Sequence, residues 1–330
     1  MERPWTDFNI FSDKIPYFTF YYFQENIESV KSVIKKHSLT IIDTSHDPVD
    51  ITYVKQQTTY HDVDNLVVIL TSNYKKEYEF DNVIFCPYQF FRSKFYYRKV
   101  KIQKRNYKAS CINRNPIGHK LYTYFKLYNN VKFKDMMLSF NGLQDNPYFG
   151  QKGCDEIITI NHHKFRNIPE EIKRQIELID INKSAFDGDD IHSFNVLNSN
   201  NHPAYTECYL NLVTETSAEF THITEKTFKP IISGQLFLIS GSAGQVDPIR
   251  HMGFDTYDDL FSNHEYDLET EMITRVDKLI DIFDKSYDKI EDLYFLNQAR
   301  IEYNQNYMCS QTLYNRIIEP LKQRDLLKIN

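Results

Sequence analysis

Four short apolar runs in the first hundred residues, separated by polar or helix-like stretches, restrict this chain's fold more than any other feature. They are YFTFYYF (17–23), LTIIDT (39–44), NLVVILTS (65–72) and NVIFCPYQFF (82–91), and each reads as a strand. Runs that stay apolar at successive positions must be covered on both faces, which fits a parallel sheet with helices packed against it. Between the first two, ENIESVKSVIKKHS places Ile27, Val30, Val33 and Ile34 at helical spacing. Residues 45–64, with SHDPVD and YHDVD, read as a loop.

The strand–helix pattern restarts further on. ASCINRN (109–115) is strand then loop, GHKLYTYFKLYNN is helix, and MMLSFNG (136–142) is strand and turn. Residues 143–167 look irregular, PEEIKRQIELI is a helix with Pro169 near its start, and HSFNVLNSNNHPAY is loop-rich. YLNLVTET (209–216) and QLFLISG (235–241) are strands flanking a short helix, and from Glu269 the chain is mostly helical. Met272, Val276, Leu279 and Phe283 form a stripe that faces a core. Between the two patterns lies RSKFYYRKVKIQKRNYK (92–108), with eight cations and no acid. The expected organisation is α/β: two Rossmann-like domains facing a cleft at the carboxyl ends of their strands. The boundaries are 1–104 for the first domain, 105–310 for the second, and 311–330 for a C-terminal helix that returns to the first.

Composition excludes several classes. A net charge of −6 over 330 residues argues against a generally basic nucleic-acid coat but leaves room for a local basic patch. Five scattered cysteines without a C-x-x-C pair fit a reducing compartment and exclude a structural zinc site of the usual spacing. No apolar stretch is long enough to cross a membrane, and the charged N-terminus does not resemble a signal peptide, so a cytoplasmic protein is expected. The 24 Tyr and 24 Phe, with abundant Lys, Asn and Ile, suit an AT-rich coding genome such as those of many phages and large viruses. His162–His163 lack a third metal ligand at helical spacing, DGDD (187–190) is too short for a calcium loop, and neither a G-x-S-x-G nor a Walker sequence occurs. No metal is expected.

The sharpest local signal is ITEKTFKPIISGQLFLISG (223–241). Glu225 and Lys226 lie about 100° apart around a helix axis, poorly placed to pair with each other. At a first turn both can project toward the anion-favouring space beyond the helix N-terminus. Pro230 removes the N–H that would bond the Lys226 carbonyl, so a break or bend is expected close to the two charges. Glycines and small residues in SGSAG (240–244) follow a strand, as in a weak phosphate cradle.

The run from VTET through TEKTFKPI, GQLFLISG and GFDTYDDLF resembles the nucleotide-sugar domain of GT-B glycosyltransferases of phages and large viruses, which share a T-E-K helix start with α1,3-fucosyltransferases. CINRNPIGHKLYTYFKLYNN is similar to the strand–loop–helix that opens the same domain, so the resemblance spans roughly residues 109–268 and is absent in 1–90. It implies a GT-B fold and transfer of a sugar from a nucleotide diphosphate sugar, a UDP-sugar first, with no further cofactor. It also implies that Glu225 accepts hydrogen bonds from the ribose hydroxyls while Lys226 and Arg114 neutralise the diphosphate, with Glu215 and Thr224 beside them. Lys120 stands near a position where the family often carries arginine, which keeps a cation but loses bidentate recognition.

Transfer also needs a base for the acceptor hydroxyl. Glu25, just after the first strand, is the candidate from the first domain, with Asp47 the weaker alternative. The basic segment, with Phe95, Tyr96, Tyr97 and Tyr107 between its cations, suggests an acceptor. If it lies near the cleft, Lys99, Lys101, Lys104 and Arg105 would hold duplex DNA whose hydroxymethylcytosine is flipped out for glycosylation. A glycan or protein hydroxyl is the competing acceptor, and a nucleotide-sugar-binding protein without catalysis or a structural virion protein are the competing classes.

Overall fold

The computed structural model describes residues 15–37, 39–45, 51–59, 66–71, 82–113, 118–140, 200–324 and 326. The fold class is the expected one: α/β, with two halves each built on a four-stranded, wholly parallel sheet. The first sheet holds β1 (Tyr17–Thr19), β2 (Leu39–Asp43), β3 (Leu66–Thr71) and β4 (Val83–Phe85), laid down in sequential order. Its helices are α1 (Phe20–Glu25), α2 (Ile27–Ile34), α3 (Ile51–Thr59) and α4 (Tyr88–Tyr96).

Two of the aromatic runs divide. Residues 17–23 form a strand for three residues only, because Thr19 caps a helix start, its Oγ1 accepting from the Tyr22 N–H at 3.4 Å. Residues 82–91 stop being strand at Phe85, and Pro87, with φ −72°, stands at the N-cap of α4. The stretch 45–64 contains a helix, α3, which buries Ile51, Val54 and Thr58 at helical spacing.

The second sheet runs β6–β5–β7–β8, from β5 (Tyr107–Asn113), β6 (Met137–Phe140), β7 (Cys208–Thr214) and β8 (Leu236–Ser240). Every residue of β7 and β8 is buried, the pattern that their largely apolar sequences demand. Around them stand α5 (Gly118–Tyr128), α6 (Pro203–Thr206), α7 (Glu225–Ile232), α8 (Asp247–Met252), α9 (Met272–Tyr287), α10 (Ile290–Leu296), α11 (Gln298–Met308) and α12 (Gln311–Lys322). Helix α7 continues through Pro230 for two further residues rather than breaking there. It ends at Gly234, whose φ of +62° and whose 2.7 Å clearance from a would-be Cβ to Gln305 Nε2 leave room for glycine alone.

The halves share one hydrophobic core, which includes Ile41 and Val68 of the first sheet with Leu210 and Leu238 of the second. Phe90 on α4 meets Phe228 on α7 edge to face at 5.9 Å. Helix α12 packs on β4, and its Tyr314 lies edge to face with Phe91 at 5.8 Å. Among the described residues no helix is long and apolar enough to cross a membrane.

Candidate functional site

Strand order locates the crevice. The first sheet adds strands in one direction only, whereas β5 and β7 are neighbours whose connections leave oppositely, to β6 on one side and β8 on the other. Carboxyl ends of strands part at such a reversal and leave a ligand-sized gap. Asn113 ends β5 and Thr214 ends β7, and the Thr214 hydroxyl donates to the Asn113 side-chain oxygen across that point.

Glu215 follows, wholly buried, and both of its carboxylate oxygens are occupied. Oε1 accepts from the Thr224 N–H at 3.1 Å and the Thr227 hydroxyl at 2.5 Å, and Oε2 accepts from the Thr224 hydroxyl at 2.6 Å. Glu215 therefore does not face a ligand as the sequence reading had it. It ties the end of β7 to the start of α7 and so positions the residues that do. Thr224 is likewise structural: it is the N-cap of α7, its hydroxyl accepting from the Lys226 N–H at 3.3 Å.

Glu225 and Lys226 open α7 with side chains 13% and 28% exposed. They are paired, with Lys226 Nζ 3.3 Å from Glu225 Oε1, contrary to the expectation that neighbours on a helix stay apart. The long lysine side chain folds back over the first turn, where Nζ also donates to the hydroxyls of Thr216 at 3.2 Å and Thr224 at 3.3 Å. Burial opposes ionisation of Glu225, but Lys226 and Lys229 outweigh it and hold the carboxyl down at about 2. The first turn thus presents an ionised acceptor and a cation together at the positive end of the helix dipole.

Behind them lies Lys120, on the first turn of α5 and 2% exposed. Among the described residues no acceptor hydrogen-bonds its ammonium. Burial, and then the charge of Lys226, push its pKa down to about 7 against the pull of Glu215 and Glu225. Its neighbour His119 is fully buried, with Nε2–H donating to the Glu215 carbonyl at 2.8 Å, and burial and Lys120 push it down to about 3. Because the unfolded chain binds the Lys120 proton more tightly, the folded state is weakened below about pH 7 and relieved as pH rises toward 10. Lys120→Met should accordingly stabilise the protein at pH 7 by on the order of 2 kcal/mol, and the gain should shrink near pH 10. Urea unfolding at the two pH values measures this.

The SGSAG turn is not an open cradle. The N–H groups of Gln245 and Val246 donate to the two oxygens of Asp267 at 3.0 and 2.9 Å, and that of Gly244 donates to its carbonyl at 2.8 Å. A carboxylate of the protein itself occupies the place a phosphate would take. Arg114, Asp47, the two neighbouring histidines and DGDD lie outside the described residues.

Two further expectations shift. Glu25 is exposed, but β1 ends at Thr19 and six helical residues, about 9 Å, carry Glu25 away from the strand's carboxyl end. The acid on that edge is Asp43, the last residue of β2, which accepts from the Tyr17 hydroxyl and from Ser45 N–H at 2.8 Å. Sequence reading passed over it because it closes an apolar strand instead of opening a loop.

The basic segment is the second. Arg98, Lys99, Lys101 and Lys104 are exposed, with Lys99 Nζ 2.5 Å from the Asn306 side-chain oxygen. Arg105, in contrast, is 4% exposed and cannot touch DNA. Its guanidinium donates to the carbonyls of Tyr205 and Cys208, both at 2.9 Å, and of Ser233 and Gly234 at 2.7 and 2.9 Å. Those carbonyls precede or begin β7 and β8, so the segment enters the sheet at the amino ends of its strands. The crevice is at the carboxyl ends, one strand length or about 20 Å away.

The chain matches no known protein family and no curated protein. Among solved structures it is similar to a crystal structure of an α1,3-fucosyltransferase, at a TM-score of 0.36 and 11% sequence identity, covering 92% of this chain and 93% of that one. The functional reading rests on the site's own residues.

Proposed function

We propose that the crevice at the carboxyl ends of β5 and β7 binds the diphosphate of a nucleotide sugar, a UDP-sugar first, and that the chain is a glycosyltransferase. One observation carries this reading: Lys226 at the N-terminus of α7 stands near Lys120, a buried lysine whose side-chain nitrogen has no hydrogen-bond acceptor among the described residues. Such a group favours a ligand that arrives with negative charge and several oxygens. As the sugar leaves, charge builds on the diphosphate, and Lys226, Lys120 and the positive end of the α7 dipole stabilise it. Glu225, held ionised, accepts hydrogen bonds from the ribose hydroxyls. The proton of the acceptor hydroxyl passes to a carboxylate of the first half, where Asp43 holds the edge position and Glu25 is the alternative.

The test is release of nucleoside diphosphate from UDP-, GDP- and CMP-sugars offered with hydroxyl acceptors, alongside binding of each donor. Glu225→Ala and Lys226→Ala should each weaken donor binding by roughly 1–3 kcal/mol. Unchanged affinity in both folded variants refutes the assignment. Donor binding without any transfer would leave a nucleotide-sugar-binding protein in its place.

The finer acceptor proposal is hydroxymethylcytosine in duplex DNA, with the exposed run Arg98, Lys99, Lys101 and Lys104 holding phosphates flanking the flipped base, at the end of the sheet away from the crevice. DNA held there should lose affinity with salt at a log–log slope of about −0.9 per neutralised phosphate. Lys99, Lys101 and Lys104 changed together to Ser should flatten that slope and leave donor affinity intact. A glycan or protein hydroxyl as acceptor predicts transfer that these three substitutions do not alter.

A further inference from the structure

Lys120 sits in an environment that fits an ammonium only when the crevice is filled. Glu215, the nearest fully buried acid, has its oxygens taken by Thr224 and Thr227, and Glu225 is paired with Lys226. The other groups around it offer nothing: the Cys111 thiol on β5 is pushed up to about 12 by burial and stays neutral. His119 on the same helix is neutral as well. Lys226 therefore opposes a charge on Lys120, while neither Glu215 nor Glu225 hydrogen-bonds its side-chain nitrogen.

Building on the donor site proposed above, we infer that Lys120 couples donor binding to proton uptake: its neutral amine takes a proton from solvent as the diphosphate enters the crevice. The step is Lys–NH₂ plus H⁺ to Lys–NH₃⁺, with no bond made or broken elsewhere. A diphosphate diester brings two negative charges and several free acceptors to a buried amine, and both favour its protonated form. The site then holds a second cation beside Lys226 only when there is a charge to neutralise, and the empty protein does not carry a buried, unpaired ammonium.

Calorimetric titration of the protein with UDP-glucose and GDP-fucose tests this, run in buffers of different ionisation enthalpy. Neither diphosphate diester changes protonation near neutral pH, so any buffer-dependent heat belongs to the protein. The expected uptake is close to one proton per donor at about pH 8 and close to none at about pH 5.5, where Lys120 is already charged. Donor affinity of the unaltered protein should fall as pH rises above neutrality, approaching tenfold per pH unit. Lys120→Arg, permanently charged, should bind donor without uptake and lose that pH dependence. Lys120→Met should lose uptake and bind roughly tenfold to a hundredfold more weakly. Donor binding with no buffer-dependent heat and no pH dependence overturns the coupling and leaves the donor site standing. Uptake that persists in Lys120→Arg also overturns it. Failure of both donors to bind at millimolar concentration removes the donor site and the coupling with it.

Discussion

Replacing Arg105 with methionine is expected to destabilise the protein by about 4 kcal/mol or more, the largest effect of any single substitution considered. All five guanidinium N–H groups are used: four bonds go to the carbonyls of Tyr205, Cys208, Ser233 and Gly234, and Nε donates to the Tyr294 hydroxyl at 3.1 Å. These partners come from α6, the start of β7, the end of α7 and α10, so one side chain fastens four pieces of the second half. Methionine fills much of the volume but leaves the carbonyls of Tyr205, Ser233 and Gly234 to find other donors, each at a cost of roughly 1–3 kcal/mol when buried, while that of Cys208 keeps Gln235 Nε2 at 2.8 Å. Lys99→Ser, a few residues away on the exposed run, should change stability by less than about 0.5 kcal/mol. Arg105→Lys keeps the charge, can serve at most three of the acceptors, and should fall between the two. Urea denaturation of the three variants measures the series. An Arg105→Met protein as stable as its parent would mean that the guanidinium is solvated and the basic segment is one continuous surface after all.

Glu215→Ala should cost about 3 kcal/mol and should also abolish donor binding, although Glu215 does not face the crevice. The carboxylate takes bonds from two hydroxyls and a backbone N–H at the head of α7, and its own N–H donates to the Ser240 carbonyl at 2.8 Å. Removing it leaves the Thr224 and Thr227 hydroxyls and the Thr224 N–H without their acceptor and frees the turn that carries Glu225 and Lys226. Glu215→Gln preserves the volume and one acceptor, and should retain most of the stability while binding donor more weakly. Affinity separates the positioning role from a general loss of structure: donor binding should fall by more than the unfolding free energy explains, measured well below the melting temperature. Glu215→Ala that melts earlier yet binds donor unchanged would show that α7 holds its N-terminus without this anchor.

The sequence exposed the sheets more readily than the site. β2, β3, β7 and β8 are visible because strands covered on both faces carry apolar residues at successive positions rather than alternating with polar ones. The aromatic runs at 17–23 and 82–91 misled because Tyr and Phe serve helix and strand alike once buried, and a single capping Thr19 or Pro87 decides the matter. Helix α3 was missed among polar residues, although Ile51, Val54 and Thr58 stand at a spacing that could have revealed it. At the site, the pair Glu225–Lys226 was legible from the helix start. Depth was not: Glu215 and Glu225 look alike in sequence, and only the sheet's reversal buries one and leaves the other at the crevice. Arg105 shows the same limit, since nothing local distinguishes the one cation of the run that turns inward to serve carbonyls distant in sequence.

The central claim is that an anionic diphosphate seats between the N-terminus of α7 and Lys120. The most direct measurement is a crystal structure of the protein grown with saturating UDP-glucose, or with GDP-fucose. The account predicts density for the diphosphate within hydrogen-bonding distance of Lys226 Nζ and the first-turn N–H groups of α7, with the ribose beside Glu225 and Lys120 Nζ turned toward a phosphate oxygen. A donor seated elsewhere in the molecule, with Lys226 still folded onto Glu225 and Thr216, would contradict it.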